Sequence, residues 1–148
     1  MAVGRGLLLD THVWAWIGNG QLHPDPVVIE RINEAGLRDM LYLASISLLE
    51  MANAYQRGRL NLVGRTLEDW LSANLRKPGV RIIDITPEIA VQTTRLPLGF
   101  QGDPGDRLLA ATAQVEDLTL VTHDSALLQF GRRGLFNVLK ARRKRILS

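Results

Sequence analysis

The stretch GLLLDTHVWAWI, residues 6–17, indicates the fold class of the chain. Residues 6–9 form an uninterrupted apolar run, typical of a buried strand, and the run stops at Asp10. Residues 11–17 have the apolar spacing of a short helix, and Gly18 is a suitable end for it. The stretch therefore predicts a buried strand that leads through an acid directly into a helix.

The same alternation of strand and helix continues along the chain. Further strands are expected over residues 41–44, 80–85, 118–122 and 136–139. Helices are expected after Pro26, from near Ser47, over residues 66–75, from Pro87 and over residues 108–115. Strands that alternate with helices form parallel sheets covered by helices. We therefore expect an α/β fold, a three-layer α/β/α domain with a central parallel sheet of four or five strands.

Length and composition favour a single domain. The chain has 148 residues, 46% of them hydrophobic, and no linker or repeat divides residues 1–148 into two parts. Cysteine is absent, which excludes a disulfide framework and a thiolate metal site. The apolar run near the start is too short for a signal peptide, and no run approaches the roughly 20 apolar residues of a membrane span. We expect a soluble, cytoplasmic protein.

Charge is unevenly distributed along the chain. Residues 1–124 hold 11 Lys and Arg against 15 Asp and Glu, a net of −4, whereas residues 125–148 hold 7 basic residues and no acid. The basic C-terminal segment, residues 132–148, can attract phosphate backbones because neutralised phosphates release counterions. It can equally be a solvated, solubilising end.

Four acids are expected at one edge of the sheet. Asp10 follows the first strand, Glu50 lies one turn into the helix after the second, and Asp124 comes two residues after the fourth. Asp106 opens the helix that precedes the fourth strand. The carboxyl ends of parallel strands share an edge, which is where open α/β sheets bind ligands. The four carboxylates are therefore the candidate catalytic and metal-binding residues.

Each of these acids also has a local structural interpretation. Ser47 and Glu50 match a capping box, with Ser47 as the N-cap. Asp103 and Asp124 can cap the helices that follow them, and Asp106 suits the positive end of a helix dipole. The structural interpretation weakens for the set, because clustered like charges repel by about 1 to 4 kcal/mol per pair and require a cation or raised pKa values.

The ligand types indicate which ion would bind. Carboxylate oxygens, without Cys and without His at ligand spacing, favour Mg²⁺ or Mn²⁺ over Zn²⁺. Such an ion lowers the pKa of a bound water and offsets charge on a phosphate. Phosphodiester hydrolysis is the reaction that this chemistry favours, with one or two ions.

The ordered segments of the chain resemble a known family. The segments are LLLDTHVWAWI (7–17), ASISLLEMANAYQRGRLNL (44–62), ITPEIAVQTTRLP (85–97) and GDPGDRLLAATAQVEDLTLVTHDSALLQF (102–130). Together they resemble the PIN-domain family, and particularly VapC-type toxins of toxin–antitoxin pairs. The resemblance implies a PIN-like fold, a Mg²⁺- or Mn²⁺-dependent endoribonuclease acting on RNA, a homodimer, and inhibition by a cognate VapB-like antitoxin.

The resemblance also assigns the acids. It implies that Asp10, Glu50, Asp106 and Asp124 are the family's acidic quartet, with Asp103 as a rival for the fourth position. Similar sequences frequently carry His two residues before the Asp that corresponds to Asp103, where this chain has Gln101. This difference concerns a contact to a metal-binding side chain or to the substrate, and it leaves the acidic cluster intact.

Several neighbours of the acids have two interpretations each. The hydroxyls of Thr11, Ser47 and Thr122 can orient carboxylates or serve capping and strand propensity. His12 and His123 have no spaced partner, which favours a non-catalytic role.

Several basic and aromatic residues also have two interpretations each. Arg107 can contact phosphate or pair with Asp103. Arg57 and Arg59 can contact RNA or a partner, or end a solvated helix. The three tryptophans, Trp14, Trp16 and Trp70, can stack on bases, although helical spacing with other apolar residues favours packing.

Other functions remain as alternatives. A non-cleaving PIN-like scaffold for RNA or protein would keep the fold, and a DNA nuclease would keep the site. Phosphotransfer through Asp10 is disfavoured because the second acid that dehalogenase-type enzymes carry two residues later is missing. The apolar face of residues 66–75 is a candidate antitoxin surface.

Overall fold

A computed structural model of the protein describes residues 5–76 and 79–145. In chain order the elements are β1 (Leu7–Leu9), α1 (Thr11–Gly18), α2 (Pro26–Leu37), β2 (Leu41–Ala44), α3 (Ile46–Gln56), α4 (Leu67–Arg76), β3 (Arg81–Ile83), α5 (Pro87–Thr93), α6 (Pro104–Val115), β4 (Thr119–Thr122), α7 (Ser125–Arg132) and β5 (Asn137–Lys140). None of the helices in these ranges has the length and apolar character needed to span a membrane.

The strands form one parallel sheet in the order β3-β2-β1-β4-β5. Leu9, at the end of β1, is level with Leu43 of β2 and Val121 of β4. The carboxyl ends of these three strands therefore share one edge, and the segments that leave them begin side by side.

Helices cover both faces of the sheet. Leu7 and Leu9 of β1 pack in a core with apolar residues from α1 to α4, whereas Leu8 packs on the opposite face with α6 and α7. All three leucines are buried because successive strand residues alternate between faces and both faces are covered. The predicted three-layer α/β/α fold, with a sheet of five strands, is confirmed.

Two local predictions differ from the structure. β3 is shorter than the expected strand over residues 80–85: within the described ranges it pairs only with β2, and Arg81 and Ile82 are exposed at this edge of the sheet. The apolar face of α4, predicted as a candidate antitoxin surface, packs on the core and is only partly exposed. Trp70 is buried, and Leu71 and Leu75 pack against the same core.

Over its described part, the basic C-terminal segment is hydrogen-bonded to the rest of the domain. Residues 132–140 belong to the end of α7, a turn and β5, and residues 146–148 lie outside the described residues. We call residues 141–145 the C-terminal strap. Its Ala141 amide donates to the Thr122 carbonyl (3.0 Å), and Arg143 forms an antiparallel bridge with Leu22. The strap therefore runs beside the segment between α1 and α2.

Candidate active site

Asp10 lies at the end of the central strand, where burial dominates its properties. The side chain is 7% exposed, and its Oδ2 accepts a hydrogen bond of 2.6 Å from Thr122 Oγ1. Burial raises the pKa of Asp10, and the charge of Asp124 adds to this, whereas the Thr122 hydrogen bond and His12 lower it. The hydroxyl at the end of β4 thus stabilises the charged form of a carboxylate that desolvation disfavours.

Glu50 is held by a short chain of hydroxyls. Thr11 Oγ1 donates to Glu50 Oε1 at 2.7 Å and lies 2.6 Å from Ser47 Oγ. Because an ionised carboxylate only accepts hydrogen bonds, the Thr11 hydroxyl donates to Glu50, and Ser47 Oγ then donates to Thr11 Oγ1. Burial is also the main cause that raises the pKa of Glu50. The charges of Asp10 and Asp103 raise this pKa further.

This arrangement replaces the predicted capping box. α3 begins at Ile46, with Ser45 as its N-cap residue, and Ser47 lies inside the helix with its side chain buried. Ser47 therefore does not cap, and the Glu50 carboxylate is bonded to Thr11 of α1. The capping-box prediction is wrong because a tertiary hydrogen bond takes the Glu50 side chain away from its own helix start.

A glycine makes room for the Glu50 carboxylate. Gly105 is buried in the first turn of α6, and a Cβ built on it would lie 2.7 Å from Glu50 Oε2 and 3.3 Å from Asp103 Oδ1. Any larger residue would displace the Glu50 carboxylate. Glu50 therefore approaches the amino end of α6, where the helix dipole favours negative charge.

Asp106 is the acid that all the others affect. Its pKa is raised to about 7, first by burial and then by the charges of Asp103, Asp124, Asp10 and Glu50. The predicted quartet is therefore one electrostatic cluster.

Asp103 and Asp124 are both N-caps and both members of the cluster. Asp103 Oδ1 accepts from the Asp106 amide (2.8 Å), and Asp124 Oδ1 accepts from the Leu127 amide (2.9 Å), so both capping predictions are confirmed. The charge of Asp103 raises the pKa of Glu50 and Asp106, whereas that of Asp124 raises the pKa of Asp10 and Asp106. Asp103 is thus a fifth acid of the cluster, on the Glu50 side.

The chemistry of the cluster fits a hard divalent cation. All the acidic donors are oxygens, and their repulsion is the kind of energy that a bound cation offsets. In the two described ranges, however, no three His, Asp or Glu side chains are grouped closely enough to enclose an ion. The fit therefore rests on the oxygen donors and the charge of the cluster rather than on an enclosed ion site.

A groove of about 570 Å³ opens beside the cluster. We call it the arginine groove, because Arg57, Arg59 and Arg143 line it together with Glu50 and Asp103. Further lining residues include Thr11, His12, Trp16, Asn19, Gln21, Asn53 and Asn61. Acidic and basic side chains therefore line the same groove, and we call its three arginines the basic wall.

The remaining predicted residues separate into core and groove. Trp14 and Trp70 are buried and meet edge to face at 5.3 Å, so the packing prediction is confirmed for them. Trp16 is only half-buried, lines the groove, and has its ring 5.8 Å from that of His123.

Two further predicted side chains, Arg107 and His12, lie in different surroundings. Arg107 donates to the Thr93 carbonyl at 2.8 Å, and the described ranges contain no ion pair between it and Asp103. The predicted pair is therefore wrong, because the guanidinium reaches α5 instead. His12 is exposed and lines the groove.

A parallel α/β/α domain with acids gathered at the carboxyl edge of its sheet defines a class of protein. Comparison with known sequences identifies that class. Residues 7–133 match the PIN domain, and the chain belongs to the PIN domain family. It is similar to ribonuclease VapC22 of Mycobacterium tuberculosis, with 36% identity over 121 residues, 82% of this chain and 88% of that protein.

Solved structures have the same fold. One is VapBC2 from Rickettsia felis bound to a DNA fragment from its promoter, with a TM-score of 0.66 and 20% identity over 92% of this chain and 98% of that one. DNA-bound VapBC from Salmonella typhimurium gives a TM-score of 0.65 and 19% identity over 93% and 98% of the two chains. At this level of identity the likeness concerns the fold.

Proposed function

We propose that the protein is a metal-dependent endoribonuclease that acts as the toxin of a toxin–antitoxin pair. The observation that carries the proposal is the convergence of Asp10, Glu50 and Asp106 at the carboxyl edge of the sheet, where the pKa of Asp106 rises to about 7. The similarity to ribonuclease VapC22 supports RNA as the substrate.

In this mechanism Asp10, Glu50 and Asp106 hold Mg²⁺ or Mn²⁺, and Asp124 completes the catalytic set. When bound, such an ion lowers the pKa of water and offsets the charge that grows on the phosphate. The Thr122 hydroxyl keeps the Asp10 carboxylate oriented, and Thr11 does the same for Glu50. In the hydrolysis a water oxygen attacks phosphorus in line, the opposite ester bond breaks, and the leaving oxygen takes up a proton.

We also propose a VapB-like antitoxin and a homodimer as the protein's assemblies. The antitoxin is supported by the structural neighbours, two of which are DNA-bound VapBC assemblies. Coexpression with the product of an adjacent short reading frame, followed by copurification and loss of RNA cleavage, tests this partner. Light scattering of the purified protein tests the dimer.

The central test is cleavage of a total-RNA pool by the purified protein with Mg²⁺ or with EDTA. Asp10→Asn and Asp106→Asn should abolish cleavage. Asp117→Asn is the matched control, because Asp117 is exposed and pairs with Arg5 at the amino end of β4, away from the cluster. Full activity in both cluster variants would refute the mechanism. Binding of metal and RNA without cleavage would instead favour the non-cleaving scaffold.

A further inference from the structure

The basic wall of the arginine groove is built from two separate parts of the chain. Arg57 and Arg59 come from the end of α3, and Arg143 comes from the C-terminal strap. Each part is held by backbone hydrogen bonds, so the three guanidinium groups start from fixed positions. The wall is therefore a built feature of the fold rather than a run of charge on a solvated tail.

A glycine turn positions the first part. Gly58 has φ 69°, its amide donates to the Tyr55 carbonyl (3.0 Å), and the Arg59 amide donates to the Ala54 carbonyl (2.8 Å). These bonds form a Schellman motif, in which a left-handed residue ends the helix and reverses the chain. The motif places Arg57 and Arg59 on either side of Gly58, and both line the groove.

The strap positions the second part. The Arg142 carbonyl accepts from the His23 amide (2.8 Å), and the Lys144 amide donates to the Gln21 carbonyl (2.7 Å). These bonds flank Arg143, which bridges to Leu22. The partly buried Leu22 side chain packs against the core, so the strap is anchored where Arg143 reaches the groove.

The groove also has acidic lining residues, and these limit its ligand. Glu50 and Asp103 would repel a phosphate chain, whereas the three arginines attract one, as charge-assisted hydrogen bonds from guanidinium to phosphate are strong. Trp16 adds a half-buried aromatic ring, on which an unpaired base can stack.

We propose that the arginine groove binds single-stranded RNA next to the scissile phosphate, with Arg143 as a substrate-binding residue that contacts a neighbouring phosphate. This inference rests on the proposed ribonuclease function and specifies where its substrate lies. Arg57 and Arg59 contact further phosphates, and Trp16 stacks on a base. The strap is thus part of the substrate site.

Binding without cleavage tests the groove independently of catalysis. Asp10→Asn protein is titrated with a fluorescein-labelled oligoribonucleotide of 12 nucleotides, in Mg²⁺, at several salt concentrations. Adding Arg143→Ala should weaken binding about tenfold and reduce the slope of log affinity against log salt by about 0.7, the effect of one phosphate contact on a single strand. Adding Trp16→Leu should weaken binding at least about fivefold without changing the slope.

Arg142→Ala is the matched control. It removes the same charge from the same strap, and Arg142 lines a separate small cavity with His23, Asp25 and Lys140. If Arg143→Ala and Arg142→Ala weaken binding equally, only overall charge matters and the proposal is overturned. Polyglutamate and unlabelled RNA are compared as competitors of the labelled RNA. If polyglutamate competes equally strongly, the groove is a site for acidic protein instead.

Cleavage assays in protein that retains Asp10 separate this proposal from the ribonuclease function. Arg143→Ala should raise KM about tenfold with kcat unchanged, and Arg143→Lys should restore part of the affinity. A wild-type KM in Arg143→Ala would overturn the proposed role of the groove and leave the proposed ribonuclease function unaffected. Loss of cleavage in every preparation, combined with an Arg143-dependent salt slope, would refute the ribonuclease and retain the RNA site.

Discussion

Thr122 Oγ1 donates a 2.6 Å hydrogen bond to Asp10 Oδ2, and this bond joins the ends of the adjacent strands β4 and β1. The Thr122 side chain is fully buried and Asp10 is nearly so. The same hydroxyl oxygen accepts from the Asp124 amide at 3.1 Å. One threonine therefore orients the most buried acid of the cluster and also the start of the segment that carries Asp124.

Replacing Thr122 by valine keeps the volume of the side chain and removes its hydroxyl. We expect a ten- to hundredfold loss of metal affinity or cleavage, roughly the effect of losing a hydrogen bond that orients a metal ligand. Isothermal titration with Mn²⁺ and RNA cleavage measure the two quantities. Thr122→Ser keeps the donor and should retain most activity. A valine variant with full activity and metal affinity would contradict the role of this bond.

The raised pKa of Asp106 predicts how stability depends on pH without metal. The folded pKa, about 7, lies above the ordinary value of 3.8, so between these values the folded state keeps a proton that the unfolded state releases. Stability should therefore fall as pH rises from about 4 to about 7. In EDTA, Asp106→Asn should melt higher than the parent protein at pH 8 and little differently at pH 4.

Thermal melts in EDTA at the two pH values test this expectation, with Asp117→Asn as the control that should change neither. Mg²⁺ should raise the melting temperature of the parent protein at pH 8 more than that of Asp106→Asn, because the variant has lost a proposed ligand. An Asp106→Asn protein less stable than its parent at pH 8 would show that the cluster does not destabilise the metal-free fold.

Gly105 should separate activity from stability. Its backbone is helical, and alanine is favoured over glycine inside a helix by about 1 kcal/mol. The added Cβ would nevertheless meet Glu50 Oε2 at 2.7 Å and displace it. Gly105→Ala should therefore cleave RNA at least about tenfold more slowly while melting near the parent temperature. Gly99→Ala, whose Cβ meets nothing within 4 Å, should leave cleavage unchanged.

Much of this fold was predictable because its determinants are local. A buried strand has to be apolar on both faces, and the run Leu7 to Leu9 is short enough to be a strand rather than a helix. The four acids were predictable as a set because parallel strands bring their ends to one edge. The caps at Asp103 and Asp124 follow from residue type and position alone.

Tertiary contacts account for what the sequence did not indicate. The capping-box pattern at Ser47 and Glu50 is present, yet Thr11, 39 residues from Glu50, takes the carboxylate. Likewise, Gly105 resembles an ordinary residue of a loop–helix junction until Glu50 is placed beside it. Arg143 belongs to a basic run in the sequence, and its bridge to Leu22 and its place in the arginine groove distinguish it from its neighbours.

Asn19 connects the core to the arginine groove through both ends of its amide. Its Oδ1 accepts from Trp70 Nε1 (2.9 Å), and its Nδ2 donates to the carbonyl of Asn61 (3.0 Å), a lining residue of the groove. Asn19→Asp keeps the acceptor for Trp70 but turns an oxygen toward the Asn61 carbonyl. We therefore expect a weakened groove wall, seen as a higher KM for RNA, on a core that remains intact.

Asn19→Leu removes both bonds and leaves the Trp70 indole N–H without its acceptor. This should cost about 1 to 3 kcal/mol in the free energy of unfolding, the usual penalty for a polar group left unsatisfied in a protein interior. Urea denaturation and RNA cleavage, measured on both variants, separate the two functions of one side chain. If Asn19→Asp loses as much stability as Asn19→Leu and its KM is unchanged, Asn19 serves the core alone and the groove wall is held by its other contacts.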